Sequence, residues 1–299
     1  MSERIQKVLA RAGIGSRRSV ESWIGEGRVR VNGEPAAAGA AVKPDDRVSV
    51  DGRHYRVVPA KRKPARWLRY HKPVGEVSTR DDPENRPTVF DRLPRLREAG
   101  GRWVALGRLD INTSGLMLFT DDGALANALT HPSREVEREY AVRVRGQVSD
   151  DALKQLGEGI ELDDGLARFD RVIDVGGEGS NHWYHVVLHE GRRNEVRRLW
   201  EAIGCQVARL TRVRFGPIEL PRRLRQGKFE DLAPEEVRQL NAIAGGGDVS
   251  PGLTLEPLSG RRGGKKTGRR KAGSRHKRKP RTRAGTGATA GRGRGGAKS

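Results

Sequence analysis

Gly107-Arg108-Leu109-Asp110-Ile111-Asn112-Thr113-Ser114-Gly115-Leu116-Met117-Leu118-Phe119-Thr120 is the stretch on which the reading of this 299-residue chain turns. A single acid stands between two large aliphatic residues, Leu109 and Ile111. Small polar residues and Gly115 follow, then a continuous apolar run that reads as a strand. A carboxylate at such an entrance is partly desolvated and needs a partner. By propensity alone, Asp110 reads as a turn or cap residue.

Outward from this stretch the chain alternates strands with a few helices. Residues 138–145 place Tyr140, Val142 and Val144 on one face and Ala141, Arg143 and Arg145 on the other, the pattern of a half-buried strand. Val196, Leu199, Trp200 and Ile203 make a helix face that Gly204 stops. Residues 207–215 form another strand candidate, and Pro234 opens a last helix. The mixture predicts an α+β domain over residues 63–244, a mostly antiparallel mixed sheet with flanking helices. Residues 1–62 read as a small helix/strand module plus linker. Ile5, Val8, Leu9 and Ala12 recur at helical spacing, Val20, Trp23 and Ile24 give a second stripe, and Asn32-Gly33 after Val29-Arg30-Val31 signals a hairpin turn. Basic residues gather around the turn between the helices: Arg11, Arg17 and Arg18, with Arg28 and Arg30 following. Such a cluster suits RNA phosphates or forms an ordinary solvated face.

Charge narrows the partner. The formal net charge is +21, but residues 260–299 hold 16 Lys or Arg and no acid, so the rest carries only +5. Those last forty residues also lack Val, Ile, Leu, Phe, Trp and Tyr. A segment so poor in apolar area cannot offset its chain entropy, so residues 245–299 are expected to be a disordered Arg/Lys/Gly-rich tail. A polyanion, nucleic acid above all, is the expected partner. One cysteine, Cys205, excludes an intrachain disulfide framework and reads as structural. No apolar run approaches a membrane span, and the start lacks an apolar signal core, so a soluble cytoplasmic protein is expected. No phosphate-binding glycine loop occurs. His182, His185 and His189 read as surface or RNA-facing residues, with no metal site expected.

The run Gly-Arg-Leu-Asp-x-x-Thr-Ser-Gly-Leu at 107–116 resembles the defining motif of the RsuA/RluB family of pseudouridine synthases. Three more stretches agree in order: His71-Lys72-Pro73-Val74-Gly75, Arg138-Glu139-Tyr140-Ala141-Val142, and Glu190-Gly191-Arg192-Arg193-Asn194-Glu195-Val196-Arg197-Arg198-Leu199. The amino-terminal pattern, from Ile5 through Gly15-Ser16-Arg17-Arg18 to Val31-Asn32-Gly33, resembles the S4 RNA-binding domain. Together the resemblances cover nearly all of residues 1–243.

They imply isomerisation of uridine to pseudouridine in ribosomal RNA, by a monomer, with no metal and no small-molecule cofactor. Asp110 would be the essential carboxylate. Tyr140 would offer a ring to stack on uracil and a phenol for proton transfer, although its alternation also suits a core tyrosine. Arg197 would hold Asp110 ionised, although it also reads as an exposed helix arginine. Arg108 would occupy the space left by a flipped nucleotide. Lys72 is assigned to RNA binding, as a phosphate or structural contact, with Arg11, Arg17, Arg18, Arg28 and Arg30 in the S4-like module. Residues 194–200 look more like the RluB branch, which implies 23S rather than 16S rRNA. A 16S-directed enzyme and a catalytically silent rRNA-binding or ribosome-assembly factor on the same fold are the alternatives.

Overall fold

The computed structural model describes residues 1–60, 64–96, 101–146, 148–178, 181–245 and 252–258. In the amino-terminal module, β1 (Glu3–Arg4) leads into α1 (Ile5–Arg11) and α2 (Arg17–Gly25). The Ser16 hydroxyl caps α2 by accepting from the Ser19 N–H at 3.0 Å. Short strands follow: β2 (Val29–Val31), β3 (Glu34–Pro35), β4 (Ala41–Val42), β5 (Arg47–Val50) and β6 (Arg53–Pro59). Asn32 and Gly33 both take positive φ, 52° and 95°, so the β2–β3 hairpin turns where the Asn-Gly pair predicts. Ile5, Val8, Leu9, Val20, Val29 and Val48 form this module's own core.

The larger part is built on a sheet that is nine-stranded among the described residues. Its elements are β7 (Trp67–Lys72), β8 (Val104–Ala105), β9 (Ser114–Thr120), α3 (Gly123–Thr130), β10 (Arg138–Arg145), α4 (Asp150–Glu158), the hairpin β11 (Ile160–Leu162) and β12 (Gly165–Ala167), β13 (Arg171–Glu178), β14 (Asn181–Leu188), α5 (Glu195–Ala202), β15 (Gln206–Phe215), β16 (Ile218–Glu219), β17 (Phe229–Asp231) and α6 (Pro234–Ile243). The order is β13-β14-β10-β15-β9-β7-β17, with β16 on β15 and β8 on β9. The β15–β9 pair is parallel and its neighbours are antiparallel, the predicted mixed α+β class.

Every residue of β9 is buried, and two cores explain its continuous apolar run. Met117 and Phe119 pack with Leu68, Tyr70, Val142 and Trp200. Leu116 and Leu118 pack with Trp67, Leu129, Phe215 and Leu240. A strand covered on both faces has no polar alternation.

One expectation is corrected. The tail was to begin at residue 245, yet β18 (Leu253–Pro257) pairs antiparallel with β6 and adds a fifth strand to the amino-terminal sheet. Leu253 is fully buried in that module's core. Its N–H donates to Glu3 Oε2 and its carbonyl accepts from Arg11 Nη1, both at 2.5 Å. Burial opposes ionisation of Glu3, but hydrogen bonds from Arg11, the Leu253 N–H and Lys7 prevail and hold its carboxyl at about 2. Gly252 precedes the strand with φ +70°, where a Cβ would lie 2.5 Å from Arg11 Nη1. Residues 246–251 and 259–299 of the expected tail lie outside the described residues.

Candidate active site

Asp110 sits half-buried on the loop that enters β9, and the backbone of that loop is tied from below. Lys72, the last residue of β7, has no exposed surface. Its ammonium donates to the carbonyls of Thr113 at 2.7 Å, Asp110 at 3.0 Å and Pro73 at 3.0 Å, with Ile111 at 3.5 Å. Burial pulls the Lys72 pKa down from 10.5 to about 8, against the attraction of Glu76 and Asp110. The Ser78 hydroxyl donates to Leu109 O at 2.6 Å and accepts from the Leu109 N–H at 3.1 Å. The Thr113 N–H closes the turn onto Asp110 O at 3.0 Å. The carbonyls of Leu109, Asp110, Ile111 and Thr113 are therefore all hydrogen-bonded, while the Asp110 carboxylate accepts no hydrogen bond from a described side chain.

Strand register brings the rest of the site to this loop. Lys72 on β7 pairs with Gly115 on β9, Gly115 with Arg212 on β15, and Arg212 with Tyr140 on β10. Four adjacent strands thus carry one row. Gly115 takes φ +115°, and a Cβ there would stand 2.3 Å from Arg212 O and 2.5 Å from Arg212 N. Only glycine lets β15 approach β9 this closely. Ser114 adds a bond across the same junction, 2.8 Å from the Thr211 hydroxyl. Arg212 is 2% exposed and donates from Nε to Leu116 O at 2.8 Å.

Tyr140 is 8% exposed, and it belongs to the larger core, as the alternation of its strand expects. Arg197 on α5 donates to Asn112 O and to Val207 O, each at 3.1 Å. Burial lowers the Arg197 pKa, and the charges of Asp110 and Glu201 oppose that shift. Arg197 and Asp110 therefore sense each other electrostatically, but no ion pair within 4.0 Å joins them. The guanidinium instead fixes the loop through the Asn112 carbonyl.

Other expected residues divide by exposure. Arg108 is exposed and makes no ion pair with a described residue. Lys72 is the correction: a fully buried ammonium committed to backbone carbonyls cannot meet an RNA phosphate. In the amino-terminal module, Arg17 and Arg18 are exposed at the start of α2 and make no ion pair with a described residue. Arg11 is ion-paired with Glu3, so its guanidinium holds the fold. Arg28 pairs with Asp51 and Glu26 and lies over the Trp23 ring, and Arg30 bonds to Gly33 O. His182, His185 and His189 pair with Asp174, Glu139 and Asp170. No group of metal-ligating residues occurs among the described residues. Cys205 is buried.

The Thr-Ser-Gly run of the sequence contains Ser114 and Gly115, whereas nothing local marks Ser78, Thr211 or Arg212, whose partners lie far along the chain.

Residues 66–202 match the RNA pseudouridylate synthase family, and residues 3–48 match the S4 domain. Three relatives are named ribosomal large subunit pseudouridine synthase B. The Pseudomonas aeruginosa protein is 54% identical over 86% of this chain and 66% of its own length. That from Yersinia pestis is 56% identical over 78% and 73%, and that from Salmonella typhimurium 54% identical over 84% and 85%. The chain thus spans about two thirds of the Pseudomonas relative. A solved pseudouridylate synthase shares the fold, with TM-score 0.55 and 24% identity over 79% of this chain and 99% of its own. No helix among the described residues is long and apolar enough to cross a membrane. With identity above half along most of both chains, this protein belongs to the RNA pseudouridylate synthase family.

Proposed function

We propose that this protein isomerises a uridine to pseudouridine in ribosomal RNA of the large subunit. The observation that carries the reading is a carboxylate with no hydrogen bond from a described side chain, on a loop whose carbonyls are held by Lys72, Ser78 and Arg197, in a chain more than half identical to large-subunit pseudouridine synthases. The reaction breaks the N1–C1′ bond of uridine, turns the base and forms a C5–C1′ bond. N1 gains a proton and C5 loses one, so no net reactant is consumed and no cofactor is required.

Each residue has a task that suits its surroundings. Asp110 supplies the carboxylate at the glycosidic carbon. Tyr140 presents a rigid ring to the uracil face and its phenol to C5. Arg197 provides the positive charge that Asp110 senses and steadies Asn112. A base inside a helix is out of reach, so the target must be extruded or lie in a loop. Arg108, exposed beside Asp110, is suited to the space the nucleotide leaves. Arg17 and Arg18 on the S4 domain are suited to phosphates of structured RNA. The protein acts on 23S rRNA in the cytoplasm as a monomer.

The test is tritium release from full-length 23S and 16S transcripts carrying 5-tritiated uridine, followed by mapping of pseudouridine. One modified position in 23S and none in 16S is expected. Modification of 16S alone overturns the large-subunit assignment. No release from either overturns the enzymatic reading in favour of a silent RNA-binding factor.

A further inference from the structure

Two apolar side chains stand in solvent at the rim of the Asp110 loop: Val74 is 59% exposed and Ile111 38%. Single exposed aliphatics are ordinary on a protein surface. These two are not independent. The Gly75 N–H donates to Ile111 O at 2.8 Å, joining the turn that carries Val74 to the loop that carries Ile111. Lys72 bonds both segments from beneath, through Pro73 O on one side and Asp110 O on the other. Behind Val74, the buried carboxylate of Glu76 accepts from the Tyr70 hydroxyl at 2.6 Å and from Arg92 Nε at 3.2 Å. Both turns are thus anchored to the sheet, and neither side chain can withdraw into the core without breaking these bonds.

The surface they form has a definite chemistry. It is apolar at the centre, adjoins the Asp110 carboxylate and has on the same loop the exposed Arg108, which makes no ion pair with a described residue. A heterocyclic base presents a flat apolar face flanked by a phosphodiester, which matches an apolar patch beside a cation. Apolar residues inserted at a base step offset the stacking lost when a helix is opened. We propose that Val74 and Ile111 form a wedge that packs against the face of an RNA base neighbouring the target uridine, replacing the stack that base loses when the uridine leaves the helix. The proposal rests on the reading that the substrate is uridine in structured RNA. It adds positioning residues on the two turns bound by Lys72, and neither side chain makes or breaks a covalent bond.

The test uses the full-length protein with Val74→Ser, Ile111→Ser and both together. Two RNA stem-loops are built around the position that wild-type protein modifies in 23S transcript, one with the uridine base-paired and one with it unpaired. Each carries 2-aminopurine beside the uridine. Removing two exposed aliphatic contacts is expected to lower kcat/KM on the paired substrate roughly 30-fold and to abolish the fluorescence rise on binding. The unpaired substrate is expected to recover most of that loss, and the melting temperature to stay that of wild type, because both side chains are exposed. Wild-type kcat/KM and fluorescence in the double variant overturn the wedge. Equal losses on both substrates with a lowered melting temperature overturn it too, by making the residues structural. No pseudouridine from wild-type protein overturns the functional reading and the wedge with it, whereas turnover by wild type alongside equal turnover by the double variant overturns the wedge alone.

Discussion

The cations beside the Asp110 loop and those at the start of α2 in the S4 domain serve opposite ends. Around Asp110, Lys72, Arg197 and Arg212 are wholly or partly buried, and their donors go to backbone carbonyls of the loop and of β9. At the start of α2, Arg17 and Arg18 are exposed and make no ion pair with a described residue. A buried cation with many short bonds gives backbone precision, which catalysis needs to about half an ångström. An exposed cation gives long-range attraction that salt screens. Chemistry and substrate capture are therefore separable here, and changes in each region should be read out by different measurements.

The largest effect belongs to the carboxylate that this precision serves. Asp110→Asn keeps the side chain's size and removes its charge, and pseudouridine formation should fall to background in a tritium-release assay. RNA affinity in a filter-binding assay should stay within about twofold, because phosphate contacts lie elsewhere. Loss of binding along with activity would erase the separation between the two regions.

Lys72 sharpens the comparison, since it is a cation of the catalytic region with no access to RNA. Lys72→Met takes the ammonium from the Thr113 carbonyl and leaves the Asp110 carbonyl with the Thr113 N–H alone, a loss of roughly 1–3 kcal/mol for an unsatisfied carbonyl, offset in part by the buried charge removed. Turnover at saturating RNA should fall by about 100-fold, the scale of a misplaced catalytic group. In the wild-type protein, the ammonium loses its proton near pH 8, so kcat should decline above that pH. Stability should move the other way. A lysine with a folded pKa below its ordinary 10.5 takes up protons on unfolding between pH 8 and 10.5, so this group alone adds stability as pH rises through that window. Denaturant midpoints and kcat followed across that range would show the two trends diverging.

A smaller loss is expected from Arg197→Met, about 10- to 100-fold in kcat, because Lys72 and Ser78 still hold the loop. A kcat within about twofold of wild type would show that the loop holds its place without Arg197.

In the S4 domain the effects fall on binding. Arg17→Ala with Arg18→Ala should flatten the slope of log K against log salt by about 1.5, with kcat at saturation unchanged. Arg11→Ala should leave the slope unchanged and lower the stability of the module instead, because Arg11 holds Glu3 and Leu253. The same latch makes two truncations unlike each other. Ending the chain at residue 258 removes the basic tail and should weaken RNA binding without lowering the melting temperature. Ending it at 247 also removes β18 and the buried Leu253, and should lower the melting temperature. Glu3 makes the latch pH-dependent: its contribution is complete above its ordinary carboxyl value of 4.5 and is lost as pH falls toward 2.

Features that depend on near neighbours along the chain are legible without a fold. Alternation through Tyr140, Val142 and Val144 marks β10, the stripe of Val196, Leu199 and Trp200 marks α5, and the contiguous motif around Asp110 marks the family and its candidate carboxylate. Periodicity and motif spacing are local, so one chain suffices to read them. Tertiary structure decided the rest. Lys72 lies 41 residues from the Thr113 carbonyl it binds, and Leu253 lies 250 residues from Glu3. The direction of a buried cation depends on which carbonyls the fold leaves without a donor. Likewise, five residues in a Gly- and Pro-flanked stretch have too little apolar area to order themselves, and β18 exists because β6 presents an open edge and α1 a pocket for Leu253. Nothing local announces that edge or that pocket, because strand pairing forms across the whole length of the chain.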